Sequence, residues 1–216
     1  MRDFMTIWVA GLVMCGAAAS AAERTDSVSA FEKLEASRGF QVEVTCGDTP
    51  SVVLSGPGSD VADTRTSVNG KTLKIERKTS ITVSVKDDVH VKVTTSQPLD
   101  SVAISTGVEL KAEACAIAND HLDLAVSTGA TIKTAAKVNR LVIDASTGAD
   151  VDPLPGQRID SLETKVHAST GADIKICKAG KLSGSLALGS DLSIESSDST
   201  DVSTNLGAEI SHRDCH

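Results

Sequence analysis

The sequence predicts an all-β fold: a single-domain parallel β-solenoid of about six short coils, preceded by a strand-rich N-terminal section. Three observations carry this. The hexapeptide ASTGAD occurs at 145–150 and again at 168–173, with VSTGAT at 126–131 and ISTGVE at 104–109. The glycines of these copies, Gly107, Gly129, Gly148 and Gly171, continue as Gly189 and Gly207 in the degenerate forms LGSDL and LGAEI. A period near ~20 residues marks stacked structural units rather than a set of catalytic loops.

The third observation is parity. One position after each glycine stand Val108, Ala130, Ala149, Ala172, Ser190 and Ala208; three positions after stand Leu110, Ile132, Val151, Ile174, Leu192 and Ile210. These small or branched residues are expected to face inward. The intervening position holds Glu109, Thr131, Asp150, Asp173, Asp191 and Glu209, which face out. Such alternation is the strand signature. At each corner Gly supplies dihedral freedom, and Ser and Thr hydroxyls are expected to satisfy backbone groups. Thr106, Thr128, Thr147 and Thr170 share the inward parity and give way to Leu188 and Leu206, so this column is expected to be at least partly buried.

The elements are justified in chain order. Arg2, an apolar run from Phe4 to Cys15, small residues and Ala19-Ser20-Ala21 predict a secretory leader over 1–21, cleaved after Ala21. The rival reading is lipoprotein processing at Cys15, but Met14 stands where a small residue is needed. The remaining 22–216 is one domain with no second run long enough to span a bilayer. Phe31–Ala36, Phe40–Thr45, Val52–Ser55, Leu73–Glu76 and Val89–Thr94 alternate as short strands. Residues 59–66 suit a short helical turn. Asn69-Gly70 predicts a tight hairpin with positive φ at both central positions.

At this point the chain resembles the auto-transporter adhesin head GIN domain family. The resemblance covers roughly residues 27–212 and rests on FEKLEASRGFQVEVTCGD, NGKTLKIERK, VKVTTSQPLDSVAIS and the recurring Ser-Gly-Ala-like rungs. It implies a bacterial, exported β-helix of short parallel rungs. The chain departs by inserting Thr into the corner, lacks a Gly-Ile-Asn tripeptide, and carries cysteines outside any family motif.

Composition excludes several functions. The net charge is −8, which opposes binding to phosphate backbones. After the leader the chain has no Trp or Tyr and only Phe31 and Phe40, so ring platforms for bases or sugars are absent. Ser105, Ser127, Ser146 and Ser169 precede Thr-Gly, but four equivalent serines without an oriented base do not make a nucleophile. No catalytic residue, cofactor or metal site is expected. The tail His212-Arg213-Asp214-Cys215-His216 holds ligand-type residues, yet a frayed terminus explains it as well.

Cys46, Cys115, Cys177 and Cys215 form an even set, which in an exported chain favours two disulfides. Stacking separates Cys115 from Cys177 by roughly three coils, or ~14 Å at ~4.8 Å per coil. That distance exceeds what a disulfide spans. The expected pairs are therefore Cys46–Cys115 and Cys177–Cys215. Asp150, Asp173, Asp191 and Glu209 should form an outward acidic ladder, either solvated surface or a weak divalent-cation site.

The reading is a non-enzymatic, adhesin-like binding or structural protein of the periplasm or cell surface, expected in a Gram-negative-type bacterium. Its partner would be a protein or cell-surface ligand. Two alternatives stand beside it: a carbohydrate-active enzyme on the same scaffold, and a cell-envelope stress or signalling component that binds other proteins.

Overall fold

A computed structural model describes residues 21–78 and 89–215. The expected leader, apart from Ala21, and Cys15 lie outside the described residues, as does His216. The elements run β1 (Ala21–Ser27), β2 (Lys33–Ser37), β3 (Gln41–Cys46), β4 (Ser51–Pro57), helix α1 (Gly58–Asp63), β5 (Thr64–Asn69), β6 (Thr72–Arg77), β7 (His90–Thr95), β8 (Ser101–Ser105) and β9 (Glu109–Ala112). After a 3-10 turn at Ala114–Ala116 come β10 (His121–Ser127), β11 (Thr131–Thr134), β12 (Ala136–Ser146), β13 (Asp150–Pro153), β14 (Ile159–Ser169), β15 (Asp173–Leu186), β16 (Asp191–Thr204) and β17 (Glu209–His212).

The expected solenoid forms. Two long sides meet at the Ser-Thr-Gly corner. On the first side β8, β10, β12, β14, β15 and β16 pair in parallel. On the second, β9, β11, β13, β15, β16 and β17 do the same. A third, shorter side pairs Ser161 with Ala179 and Ala179 with Ser197. Because register is kept from coil to coil, like residues stack. Leu34, Val102, Leu124, Ile143 and Val166 make one buried ladder. Val42, Leu110, Ile132, Val151, Ile174 and Leu192 make another. The residues one and three positions after each corner glycine are buried up to the last coil, where Ala208 and Ile210 are half-buried.

The N-terminal section is partly coil itself. Strands β2 and β3 stack in parallel on β8 and β9, and their junction Arg38-Gly39 takes the same left-handed corner, φ +77° and +61°. This adds a seventh corner to the six read from the sequence. The chain then leaves through β4, α1 and β5 and returns as β6 and β7 beneath β2 and β3. The excursion places Gly39 far outside the repeat period, which hid that corner. Antiparallel pairs β7–β4, β4–β1 and β6–β5 close this end.

Three local expectations change. The helix spans Gly58–Asp63, and Thr64 already begins a strand. The β5–β6 hairpin turns at Gly70-Lys71, with Asn69 paired to Thr72 and only Gly70 at positive φ (+60°). Glycine at the first central position is the pattern of a type II′ turn, so Asn69 stays in the strand.

The corner column is the third. Thr106, Thr128, Thr147 and Thr170 are exposed, as are Leu188 and Leu206 at 52% and 66%. Each precedes its glycine in the left-handed region, with φ between +52° and +57°. Two consecutive left-handed residues break strand alternation, so both point outward and the inward sequence resumes one residue later. The corner amides are met by the next coil's backbone rather than by the threonine hydroxyls. Gly39, Gly107, Gly129 and Gly148 donate to Thr106, Thr128, Thr147 and Thr170 carbonyls at 2.9–3.1 Å. A hydroxyl takes this role at Ser190, buried, whose Oγ accepts from Ala187 N–H at 3.1 Å and reaches the Ala168 carbonyl at 3.3 Å.

Candidate functional site

The first long side carries a shallow trough of about 660 Å³ running along the stack. Its floor comes from two outward columns. One is Ser105, Ser127, Ser146 and Ser169, aligned in register in successive coils. The other is Lys74, Glu35, Ala103, Ala125, Asp144, His167 and Ser185. Small side chains at the same place in adjacent coils leave the depression, and the Thr column runs along the neighbouring corner. His167 Nδ1 lies 3.1 Å from Ser185 Oγ. At one end Lys74 pairs with Glu35 at 2.8 Å, both about half exposed. The four serines weighed as nucleophiles thus lie along the floor as equivalents. Their carbonyls do the structural work, accepting from the Arg38, Thr106, Thr128 and Thr147 amides at 3.2–3.4 Å.

The trough residues other than these serines escaped the sequence. Asp144, His167 and Ser185 come from three coils, and only the register Asp144↔His167↔Ser185 makes them neighbours. Unequal coil lengths conceal that register from spacing alone.

The acidic ladder is real. Asp150, Asp173, Asp191 and Glu209 are register partners on the second side. Burial pushes the Asp173 carboxyl above its ordinary value; Lys175 pulls it back, and the charges of Asp152, Asp150 and Asp191 add to the rise. Lys175 reaches Asp152 at 2.9 Å and Asp173 at 3.8 Å. Thr131 donates to Asp150 at 3.3 Å. Lys175 thus sets a positive charge beside one rung of the ladder, Asp173.

Both disulfides form in the expected pairing, with Cα separations of 5.9 Å for Cys46–Cys115 and 5.4 Å for Cys177–Cys215. The first is exposed at both ends; Cys177 is fully buried and Cys215 half-buried. Of the tail's candidate ligands, Cys215 is thus committed to a disulfide and His212 is exposed. His121 pairs with Asp123 at 3.0 Å, away from the trough floor.

A parallel solenoid presents the outward side chains of successive coils in fixed register. The chain belongs to the family described as "Putative auto-transporter adhesin, head GIN domain", whose model matches residues 30–213. No curated protein matches the sequence. Among solved structures, the chain is similar to a "putative adhesin" from Bacteroides fragilis at 15% identity and a TM-score of 0.71, covering 91% of this chain and 98% of that one. It is also similar to a "Putative lipid binding protein" from Parabacteroides distasonis at 12% identity and a TM-score of 0.52, covering 89% and 96%. At such identities the likeness is one of fold. Among the described residues, no helix is long and apolar enough to cross a membrane.

Proposed function

We propose that the chain is an exported, non-enzymatic, adhesin-like binding protein that holds an extended protein or cell-surface ligand along the trough. The observation that carries this is the exposed threonine column beside it. A β-branched residue in the left-handed region is held at a steric cost of about 1–2 kcal/mol. Here that cost recurs at Thr106, Thr128, Thr147 and Thr170, although the corner needs no threonine hydroxyl to close. Strained backbone clusters at sites that contact ligands, and the corner repeats it at Leu188 and Leu206, so the threonines add a regular row of hydroxyls to a strained edge.

Export is supported by the two disulfides. Cleavage after Ala21 would leave β1 intact from Ala22, which pairs with Gly56, to Ser27, which pairs with Ser51. The neighbour's lipid-binding description makes a bilayer one surface to test.

The test is adhesion of purified protein to intact cells and to phospholipid vesicles, compared with Ala125→Arg and Ser146→Arg. Arginines there fill the trough from outward positions. Binding that falls while the melting temperature holds supports the reading; undiminished binding removes the trough from it. Release of reducing ends from polysaccharides would instead favour the carbohydrate-active alternative.

A further inference from the structure

The two disulfides differ in a way that assigns them different tasks. Cys177–Cys215 has one buried end and ties the tail to the last coils. Cys46–Cys115 has both ends at the surface. Its surroundings are held without it. Glu113 N–H donates to the Val44 carbonyl at 3.0 Å, Leu99 N–H to the Ala116 carbonyl at 2.7 Å, and Ala118 N–H to the Leu99 carbonyl at 2.9 Å. Cys46 pairs with Thr95 at the end of β3, and Leu99 bridges to Ile117. The sheet therefore fixes both cysteines whether or not their sulfurs are joined. Exposed disulfides exchange with thiols, whereas buried ones resist attack.

We propose that Cys46–Cys115 is a thiol-exchange site through which the chain attaches covalently to a partner protein bearing an exposed cysteine. The proposal extends the adhesin-like reading by naming a chemistry for attachment. The partner thiolate attacks Cys46 Sγ and forms a mixed disulfide; the Cys46–Cys115 bond breaks, and Cys115 leaves as a thiolate that takes a proton from water. No further oxidant or reductant is required.

Glu113 sets the lifetime of the adduct. Its Oε2 lies 3.7 Å from Cys115 Sγ. That carboxylate places a negative charge beside Cys115 whichever way the bond is cleaved. Once Cys115 is freed, the same charge favours S–H over thiolate, and the thiol donates to the carboxylate. Re-closure onto Cys46 needs the thiolate, so the mixed disulfide persists.

The experiment uses the full mature chain and beads carrying a free-cysteine peptide, with serine-peptide beads as the control. Covalent capture is expected on cysteine beads only, released by a phosphine reductant, lost in Cys46→Ser/Cys115→Ser and retained in Cys177→Ser/Cys215→Ser. Circular dichroism checks that each variant is folded. Peptide mapping is expected to place the adduct on Cys46, and Glu113→Gln to shorten its lifetime. Absence of capture by the folded wild-type chain, or capture that persists in Cys46→Ser/Cys115→Ser, overturns the proposal. An adduct wholly on Cys115 overturns the role given to Glu113. Because the beads carry neither cells nor lipid, capture succeeds or fails independently of adhesion along the trough.

Discussion

The two ends of the stack are finished in opposite ways. At the N-terminal end the exposed edges of β6 and β7 are covered by antiparallel strands, β5 on one and β4 with β1 on the other. Phe31 and Phe40 are buried there, and α1 inserts Val61. Arg24 bonds to Asp26 and to the Val61 and Thr64 carbonyls, each at 2.9 Å, and Thr66 donates to Asp26. At the C-terminal end nothing among the described residues pairs beyond β16 and β17. The buried ladders end in half-buried Val202, Ala208 and Ile210, and Leu206 stands exposed. A free parallel edge invites pairing with other chains. This one is blunted by polar sequence, Ser196 to Asp201, and by a covalent tie at Cys215. The lesson is that one end is closed by a built cap and the other by polarity plus a disulfide.

The largest way to break this contrast is to cut the tie. Cys177→Ser/Cys215→Ser removes a cross-link between residues 38 apart in sequence. In the chain-entropy account this costs about 2–4 kcal/mol. Hydrogen exchange should show protection lost first in β16 and β17 while β1–β7 keep theirs. Uniform loss would mean that the last coils are not a separate weak end.

The cap comes next. Arg24→Ala leaves Asp26 without its charged partner and two carbonyls without a donor. Removing hydrogen bonds to a charged group costs about 1.5–3 kcal/mol. The effect depends on pH. Burial acts to raise the Asp26 carboxyl, but hydrogen bonds from Thr66 and Arg24 and the charge of Arg24 outweigh it, so the group titrates below its ordinary value of 3.8. The native state binds fewer protons than the unfolded one across that window. The contribution is full above the unfolded value and is lost as pH falls through the folded one. Denaturant melts of wild type and Arg24→Ala should converge toward acid and separate at neutral pH.

How much of this was legible follows the geometry. Parity plus a regular repeat exposed the inward ladders and the acidic column, because stacking turns spacing into neighbourhood. The same logic paired the cysteines. It failed at Arg38-Gly39, because the coil that stacks below β2 is made from later sequence. It failed again at Thr106 and its equivalents, because alternation assumes extended backbone and two left-handed residues reset it. The trough was out of reach for a third reason: its shape depends on side chains from different coils meeting in register, small at Ala103 and Ala125 and polar at Asp144, His167 and Ser185.

A smaller effect tests the ladder between the two ends. Asp173 titrates above its ordinary value in the folded chain, so folding binds extra protons between the unfolded and folded values. Stability falls as pH rises through that window and stays reduced above it. Asp173→Asn removes this dependence. The variant should melt slightly higher than wild type at pH 7, with the difference shrinking below the ordinary carboxylate range. Lys175 keeps its 2.9 Å partner Asp152. Adding millimolar calcium should leave both midpoints unchanged at matched ionic strength if the ladder is solvated surface; a rise confined to wild type would reveal a cation between the carboxylates.

The finest comparison sets one corner in the middle of the stack against one at its open end. Thr147 and Leu206 have nearly the same left-handed φ, +55° and +52°, and both are exposed. Asparagine tolerates that region far better than either. Thr147→Asn and Leu206→Asn should each relieve roughly 1 kcal/mol of local strain. The two gains need not appear equally in a melt. Thr147 lies between coils that pair on both sides, so its relief stabilises the cooperative core and should raise the midpoint by about 2–4 °C. Leu206 lies in the last coil, which opens at lower cost than the whole molecule, and relief there deepens only the local well. Its midpoint should stay put while exchange in β17 slows. Equal shifts in both variants would show that the polar, disulfide-tied end melts with the rest, and that an uncovered edge can share the cooperativity of a capped one.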